Sequence, residues 1–267
     1  DQAGPYAGTV AYKLGLLAYT KGDYDEARVW MEKVVTRFPN HPRLLDAHLL
    51  VGKISLIMND FPRASWHFSG ASDVLSNNRG ELRREALLRG GLTYYWWRRY
   101  EDALPMLQEY IGLVGKDPGF LLTAKVALGL SYYFKHEYVA ATRVFRKAFE
   151  VSDIGEIPSH SENRSEASFG WLISAILQNE KEEVQRAWTR FNATKPSGKR
   201  FFQGVLRFAN WQFLNGRYRE SADTIQEGIL NLTKAMESGE KDFFELLTRS
   251  RILLAHSTLL INFDFIT

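Results

Sequence analysis

The side chains with the most chemical potential in this sequence are six histidines, several adjacent carboxylates and a cluster of arginines. The His-Glu-x-x-His motif is absent, and no two histidines have the spacing that would place both on one helix face as metal ligands. Phosphate-binding glycine loops and Gly-x-Ser-x-Gly are also absent. Adjacent carboxylates such as Glu101-Asp102 and Glu182-Glu183 are typical of solvated helix faces. We therefore expect no catalytic residues, no metal site and no cofactor.

The absence of cysteine narrows the chemistry further. It excludes disulfides, thiolate nucleophiles and cysteine-ligated zinc or iron–sulfur centres. The histidines themselves, His67 and His256 among them, are expected to be packing or partly exposed residues. The net charge of +3 over 267 residues is too balanced to indicate a nucleic-acid partner. No apolar stretch reaches the roughly 20 residues of a membrane-spanning helix.

The arginine cluster lies beside aromatic residues and has two interpretations. Its members are Arg83, Arg84, Arg89, Arg98 and Arg99, next to Trp96, Trp97 and Tyr100. One interpretation is a patch that recognises an anion or an acidic peptide, with guanidinium groups stacked on indole rings. The other is a polar helix face followed by a turn, where Glu81 and Glu85 offset part of the charge. The second interpretation is favoured.

The elements that position these side chains follow from an internal repeat. Four glycines recur at intervals of 37, 39 and 38 residues: Gly15, Gly52, Gly91 and Gly129. An aromatic residue follows each glycine by nine positions: Tyr24, Phe61, Tyr100 and Tyr138. An alanine follows by twelve: Ala27, Ala64, Ala103 and Ala141. A large apolar residue follows by sixteen: Met31, Phe68, Leu107 and Phe145.

This pattern predicts pairs of antiparallel helices joined by short polar turns. The small residues permit close approach of the two helices, and the bulky ones fill the space around that contact. We expect Gly22 and Gly216 to end the first helix of their pairs in a left-handed conformation. The second half of the chain repeats the pattern weakly, with Gly170 in a degenerate unit at 165–194. The segment 242–263 is expected to form a capping helix.

The pattern resembles the tetratricopeptide repeat (TPR), in which Leu-Gly-x-x-Tyr is followed by Ala-x-x-x-Phe. The fourth unit supplies Leu128-Gly129, Tyr132, Ala141 and Phe145, although the usual period is about 34 residues. The resemblance implies an all-α superhelical solenoid, with four repeats in 1–150. Two degenerate repeats and a C-terminal helix would continue the array in 151–267.

A shorter resemblance concerns the compartment. The run from Arg37 to Pro42, followed by Asp46-Ala47, is similar to junctions in periplasmic and outer-membrane assembly lipoproteins of bacteria. It favours the bacterial periplasm or attachment to the outer membrane, with the cytoplasm as the alternative.

The TPR resemblance also implies that the first helices of the pairs line a concave surface. The residues expected to bind a partner there lie three before and one, four or five after the repeated glycines. They are Tyr12, Leu16, Tyr19, Lys53, Leu92, Tyr95, Trp96, Leu130, Tyr133 and Phe134. Because Lys53 is the one cation among them, a clamp for a peptide carboxylate is not expected. The set is either packing between repeats or a surface for an apolar segment.

These observations predict a non-enzymatic protein–protein interaction scaffold, whose partner is a segment of another protein or a second copy of the chain. The alternative is an accessory protein that binds a small apolar or aromatic molecule. Tyr95, Trp96, Tyr133 and Phe134 are expected to form an aromatic platform. An open or partner-filled platform is favoured over coverage by the apolar C-terminal residues Ile252, Leu253, Leu259, Leu260, Phe263 and Phe265.

Overall fold

The computed structural model describes residues 6–74, 80–114, 120–151, 158–194, 199–237 and 243–263, which form thirteen α-helices and no strand. The expected all-α fold is therefore confirmed. The first seven helices are α1 (Ala7–Lys21), α2 (Tyr24–Arg37), α3 (Leu44–Ile57), α4 (Phe61–Val74), α5 (Glu81–Trp96), α6 (Tyr100–Val114) and α7 (Leu121–Phe134). The others are α8 (Tyr138–Val151), α9 (Pro158–Gln178), α10 (Lys181–Thr194), α11 (Lys199–Leu214), α12 (Tyr218–Glu237) and α13 (Phe244–Phe263).

The chain divides into two compact units, Asp1–Lys135 and His136–Thr267, and each is described by itself. In the first unit, every helix from α1 to α7 packs on the next one along the chain. The first helices of successive pairs also touch one another, α3 with α5 and α5 with α7. They therefore form one layer, which is the arrangement that stacked helix pairs require.

The glycine positions explain how closely the helices of a pair approach. A Cβ atom at Gly15 would lie 3.0 Å from the Met31 side chain, and one at Gly52 would lie 2.6 Å from the Phe68 ring. A Cβ at Gly91 would lie 2.7 Å from the side chain of Leu107. Each glycine thus contacts the residue sixteen positions later, as the repeat predicts. The alanines of the repeat are completely buried: Ala27, Ala64, Ala103 and Ala141.

The turns inside the pairs share one backbone feature. Gly22 and Gly216 have φ angles of 81° and 75°, which confirms the expected left-handed conformation. Four non-glycine residues adopt the same conformation at the other turns: Asn59, Arg98, His136 and Asn179. A left-handed residue therefore reverses the chain in every pair, seven residues after each aligned glycine of the first four.

This seven-residue step corrects the register of the degenerate unit. Counting back from Asn179 gives Leu172, not Gly170, as the residue equivalent to the repeated glycines. Gly170 has a different role, because a Cβ there would lie 2.5 Å from the ring of Phe145 in α8. Five residues after Asn179, the buried Val184 occupies the alanine position. The size of the side chains changed while the helix geometry was kept.

In the second unit, α9 packs on α8, α10 and α11, and α13 packs on α11 and α12. Leu253 of α13 is buried with Ala209 and Ile225. The Ser257 hydroxyl donates to Ser221 Oγ at 3.2 Å, and Ser221 donates to the carbonyl of Ala209 at 2.9 Å. The C-terminal helix is thus integrated by packing and hydrogen bonds. The division of the repeats at residue 150 stays a prediction.

Within the described residues, none of the helices combines the length and apolarity needed to cross a membrane.

Candidate partner-binding surface

Five rings from α5, α6 and α7 form what we call the aromatic surface: Tyr95, Trp96, Tyr100, Tyr133 and Phe134. The Tyr100 and Phe134 rings stack, with centroids 5.0 Å apart and an interplanar angle of 16°. Tyr95 contacts Tyr100 at 6.2 Å, and Tyr133 meets Phe134 edge-on at 5.4 Å. Trp96 and Phe134 remain 51% and 47% exposed. The surface is continuous and its two outermost rings are open to solvent.

The backbone explains why these rings meet. The left-handed turn places the last residues of the first helix beside the first residue of the second helix. An aromatic residue four positions after the aligned glycine therefore contacts the one nine positions after it. Tyr95 and Tyr100 are one such pair, and Tyr19 and Tyr24, 5.8 Å apart, are another.

Sequence analysis left Tyr100 out of the binding set although its periodic position was visible. The signal that could have included it is this contact between offsets four and nine of the repeat.

The other residues predicted to bind a partner are also not fully buried. Leu16 is 42% exposed, and Tyr12, Tyr19, Leu92 and Leu130 are half-buried. Burial raises the pKa of Tyr12, and the nearby Asp46 raises it further. All ten residues lie in the first unit, so an outward-facing role remains available to each of them.

Lys53 does not act as an unpaired cation on this surface. Its ammonium lies 2.7 Å from Glu85, whose carboxylate also accepts from Arg89 at 2.8 Å. Burial alone would raise the pKa of Glu85, but the hydrogen bonds from Lys53 and Arg89 outweigh it and lower the pKa. The charge of Lys53 is thus compensated within its own unit.

The arginine cluster is distributed over several carboxylates. Arg83 is buried and pairs with Glu109 of α6. Arg99 pairs with Asp102 at 2.7 Å and lies over the Trp97 ring at 5.1 Å. Ion pairing of this kind supports the polar-face interpretation, and whether Arg83, Arg84, Arg89, Arg98 and Arg99 bind an anion stays untested.

Two histidines that are far apart in the sequence meet in the interior. Nδ1 of His48 and Nδ1 of His67 are 3.2 Å apart, and both residues are buried. Burial lowers the pKa of His67 to about 3, helped by His48 and Arg63 and opposed by Asp60. Burial also lowers the pKa of His48. In the described part of the chain, no three His, Asp or Glu side chains group as metal ligands, so this pair is a packing contact.

The C-terminal residues considered as a cover for the aromatic surface have other surroundings. Leu253 is buried in the second unit, whereas Ile252 and Leu259 are more than half exposed. The Phe263 side chain and Phe265 lie outside the described residues.

Comparisons with known proteins agree with this architecture. Residues 9–41 match the family described as tetratricopeptide repeat. The fold is of the tetratricopeptide-repeat type. A crystal structure of the MamA protein is similar over 71% of this chain and 92% of its own, with a TM-score of 0.55 and 18% identity.

A tetratricopeptide repeat protein from Parabacteroides merdae is similar over 91% of this chain and 98% of its own, with a TM-score of 0.53 and 17% identity. A putative kinesin light chain from Podospora anserina with TPR-like repeats covers 73% of this chain and 97% of its own, with a TM-score of 0.52 and 12% identity. None of the curated proteins matches the sequence significantly. TPR folds of this kind are protein-interaction scaffolds, in which stacked repeats expose extended binding surfaces.

Proposed function

We propose that the chain is a non-enzymatic scaffold whose aromatic surface binds an apolar or aromatic segment of a partner protein. The observation that carries this proposal is the exposure of Trp96 and Phe134 next to three half-buried tyrosines. Aromatic side chains surrounded by partly buried neighbours are typical of the residues that dominate binding energy. A folded protein exposes such a group at a cost that a partner segment would remove.

The exposed parts of the two rings set the scale of the interaction. An aromatic side chain offers about 150–250 Å² of surface, so roughly half of that area remains to be buried on each ring. At about 25 cal/mol per Å², covering one of them would contribute about 2–3 kcal/mol before the entropic costs of association. Two such anchors are sufficient for measurable binding of a short segment.

The openness of the surface distinguishes this function from its alternative. A small apolar ligand is usually held in a concave pocket that covers most of its area. The rings of Trp96 and Phe134 instead form an outward face supported from below by Tyr100. This geometry favours an extended or helical segment over an enclosed molecule.

The test compares two double variants of matched chemistry. Peptides selected for binding to the unmodified chain from a displayed random library would be measured against Trp96→Ala with Phe134→Ala. The control is Trp66→Ala with Phe120→Ala, because these rings are 61% and 63% exposed in the same unit. We expect the first variant to lose affinity by a factor of about ten or more and the control by less than about twofold. Equal losses in both variants, or no loss in the first, would place the binding surface elsewhere.

A further inference from the structure

The second unit contains a basic cleft on the outer helices, distant in sequence from the aromatic surface. It lies between α8 and α10, has a volume of about 610 Å³ and is floored by Trp171 of α9. Arg146 and Lys147 of α8 and Arg186 and Arg190 of α10 line it. We call it the basic cleft.

A buried carboxylate holds part of the basic cleft in place. Glu183 is 7% exposed and accepts a hydrogen bond from the Trp171 indole at 2.9 Å. Its carboxylate also pairs with Arg186 at 3.0 Å and Arg146 at 3.3 Å, one from each wall. Because each guanidinium has five N–H donors, both arginines keep donors for a ligand after these contacts. The two walls are therefore positioned before any ligand arrives.

The charge of the basic cleft exceeds what its carboxylates compensate. Four cations face two carboxylates, Glu150 of the lining and Glu183 behind it, which leaves two positive charges in excess. Within the described residues, Lys147 and Arg190 have no carboxylate within ion-pair distance. Apolar contact is also available, because Phe149 and Trp171 form part of the lining.

The spacing of the cations favours one class of ligand. Arg186 and Arg190 are four residues apart on α10, which separates them by about 6 Å along the helix axis. Alternate residues of an extended peptide are about 6.6 Å apart and face the same side. Successive carboxylates of an acidic segment would therefore reach the α10 wall, while the intervening ones face Arg146 and Lys147. We propose that the basic cleft binds an extended acidic segment of a partner protein.

The experiment measures binding of a fluorescein-labelled hexapeptide of alternating Glu and Asp to the full chain by anisotropy at low ionic strength. The peptide of alternating Gln and Asn tests whether charge is required. We expect the acidic peptide to bind and its amide counterpart not to bind. Absence of binding by the acidic peptide would overturn the proposal.

Charge reversal locates the interaction. Lys147→Glu with Arg190→Glu should weaken peptide binding by about tenfold or more, because two attractive contacts become repulsive. The matched control, Arg207→Glu with Arg219→Glu, makes the same change in net charge at exposed residues of the same unit outside the basic cleft. If the control loses as much, binding is a general field effect and the cleft is not the site. Lys147→Gln with Arg190→Gln provides the same test if the reversals disturb folding.

Two further arms separate the remaining explanations. Inorganic phosphate at matched ionic strength should not displace the peptide; displacement would assign the basic cleft to a small anion instead of a peptide. Trp96→Ala with Phe134→Ala should leave acidic-peptide binding unchanged, because those rings belong to the other proposal. Loss of binding in that variant would show that the two sites are not independent.

Discussion

Replacing Gly52 by alanine tests whether the repeated glycines are required by close helix packing. Its Cβ would lie 2.6, 2.7 and 3.0 Å from three ring carbons of Phe68. That ring is completely buried among Leu49, Ala64, Ala71 and Ala86. Ordinary contacts begin near 3.5 Å, so the ring must shift by most of an ångström in a packed core.

Two opposing effects set the expected magnitude. Alanine gains about 1 kcal/mol over glycine inside a helix, whereas overpacking costs about 1–3 kcal/mol. The short distances place the overpacking cost in the upper part of that range, so Gly52→Ala should lower the free energy of unfolding by about 1–2 kcal/mol. Gly112→Ala is the matched control in α6, because nothing lies within 4 Å of its Cβ position. It should raise the free energy of unfolding by about 0.5–1 kcal/mol.

Urea unfolding followed by far-ultraviolet circular dichroism measures both variants in the full chain. A second arm combines Gly52→Ala with Phe68→Leu, which removes the atoms that clash. The combined loss should be smaller than the sum of the single losses by about 1 kcal/mol or more. The packing argument is refuted if Gly52→Ala stabilises the chain as much as Gly112→Ala does, or if the two changes are simply additive.

Three further predictions use the same measurement of the free energy of unfolding. Ala141→Leu should lower it by about 1–3 kcal/mol, because Ala141 is completely buried, and an unchanged urea midpoint would contradict the repeat alignment there. Arg98→Gly should raise it by up to about 1 kcal/mol, because Arg98 has a φ angle of 61°, and Arg84→Gly in the helix interior should instead lower it. Acidification from pH 6.5 to 5 should lower it by about 2 kcal/mol through His67. The pKa of His67 is about 3 in the folded chain and about 6.5 in the unfolded chain, so the unfolded chain binds more protons; His67→Gln should flatten this dependence.

The helix pairs and their turns could be predicted because they depend on residues close together in the sequence. Helical periodicity, the glycine and alanine offsets and the glycines at 22 and 216 each report on one turn of helix or one reversal of the chain. The prediction was wrong at Gly170 because a glycine was assumed to mark the same position in every unit. In the degenerate unit, Leu172 takes that position and the left-handed Asn179 keeps the geometry.

The tertiary structure alone decided which side chains of separate helices meet. Stacking of Tyr100 on Phe134, the contact of His48 with His67 and the two walls of the basic cleft at Arg146 and Arg186 join residues 19 to 40 positions apart. Such contacts depend on how neighbouring helices cross and on the rotamers that fit between them, which no local spacing specifies. By itself, the sequence determined an all-α array of helix pairs with exposed aromatic residues. The packing between helices determined where those rings form a surface and where the charges form a cleft.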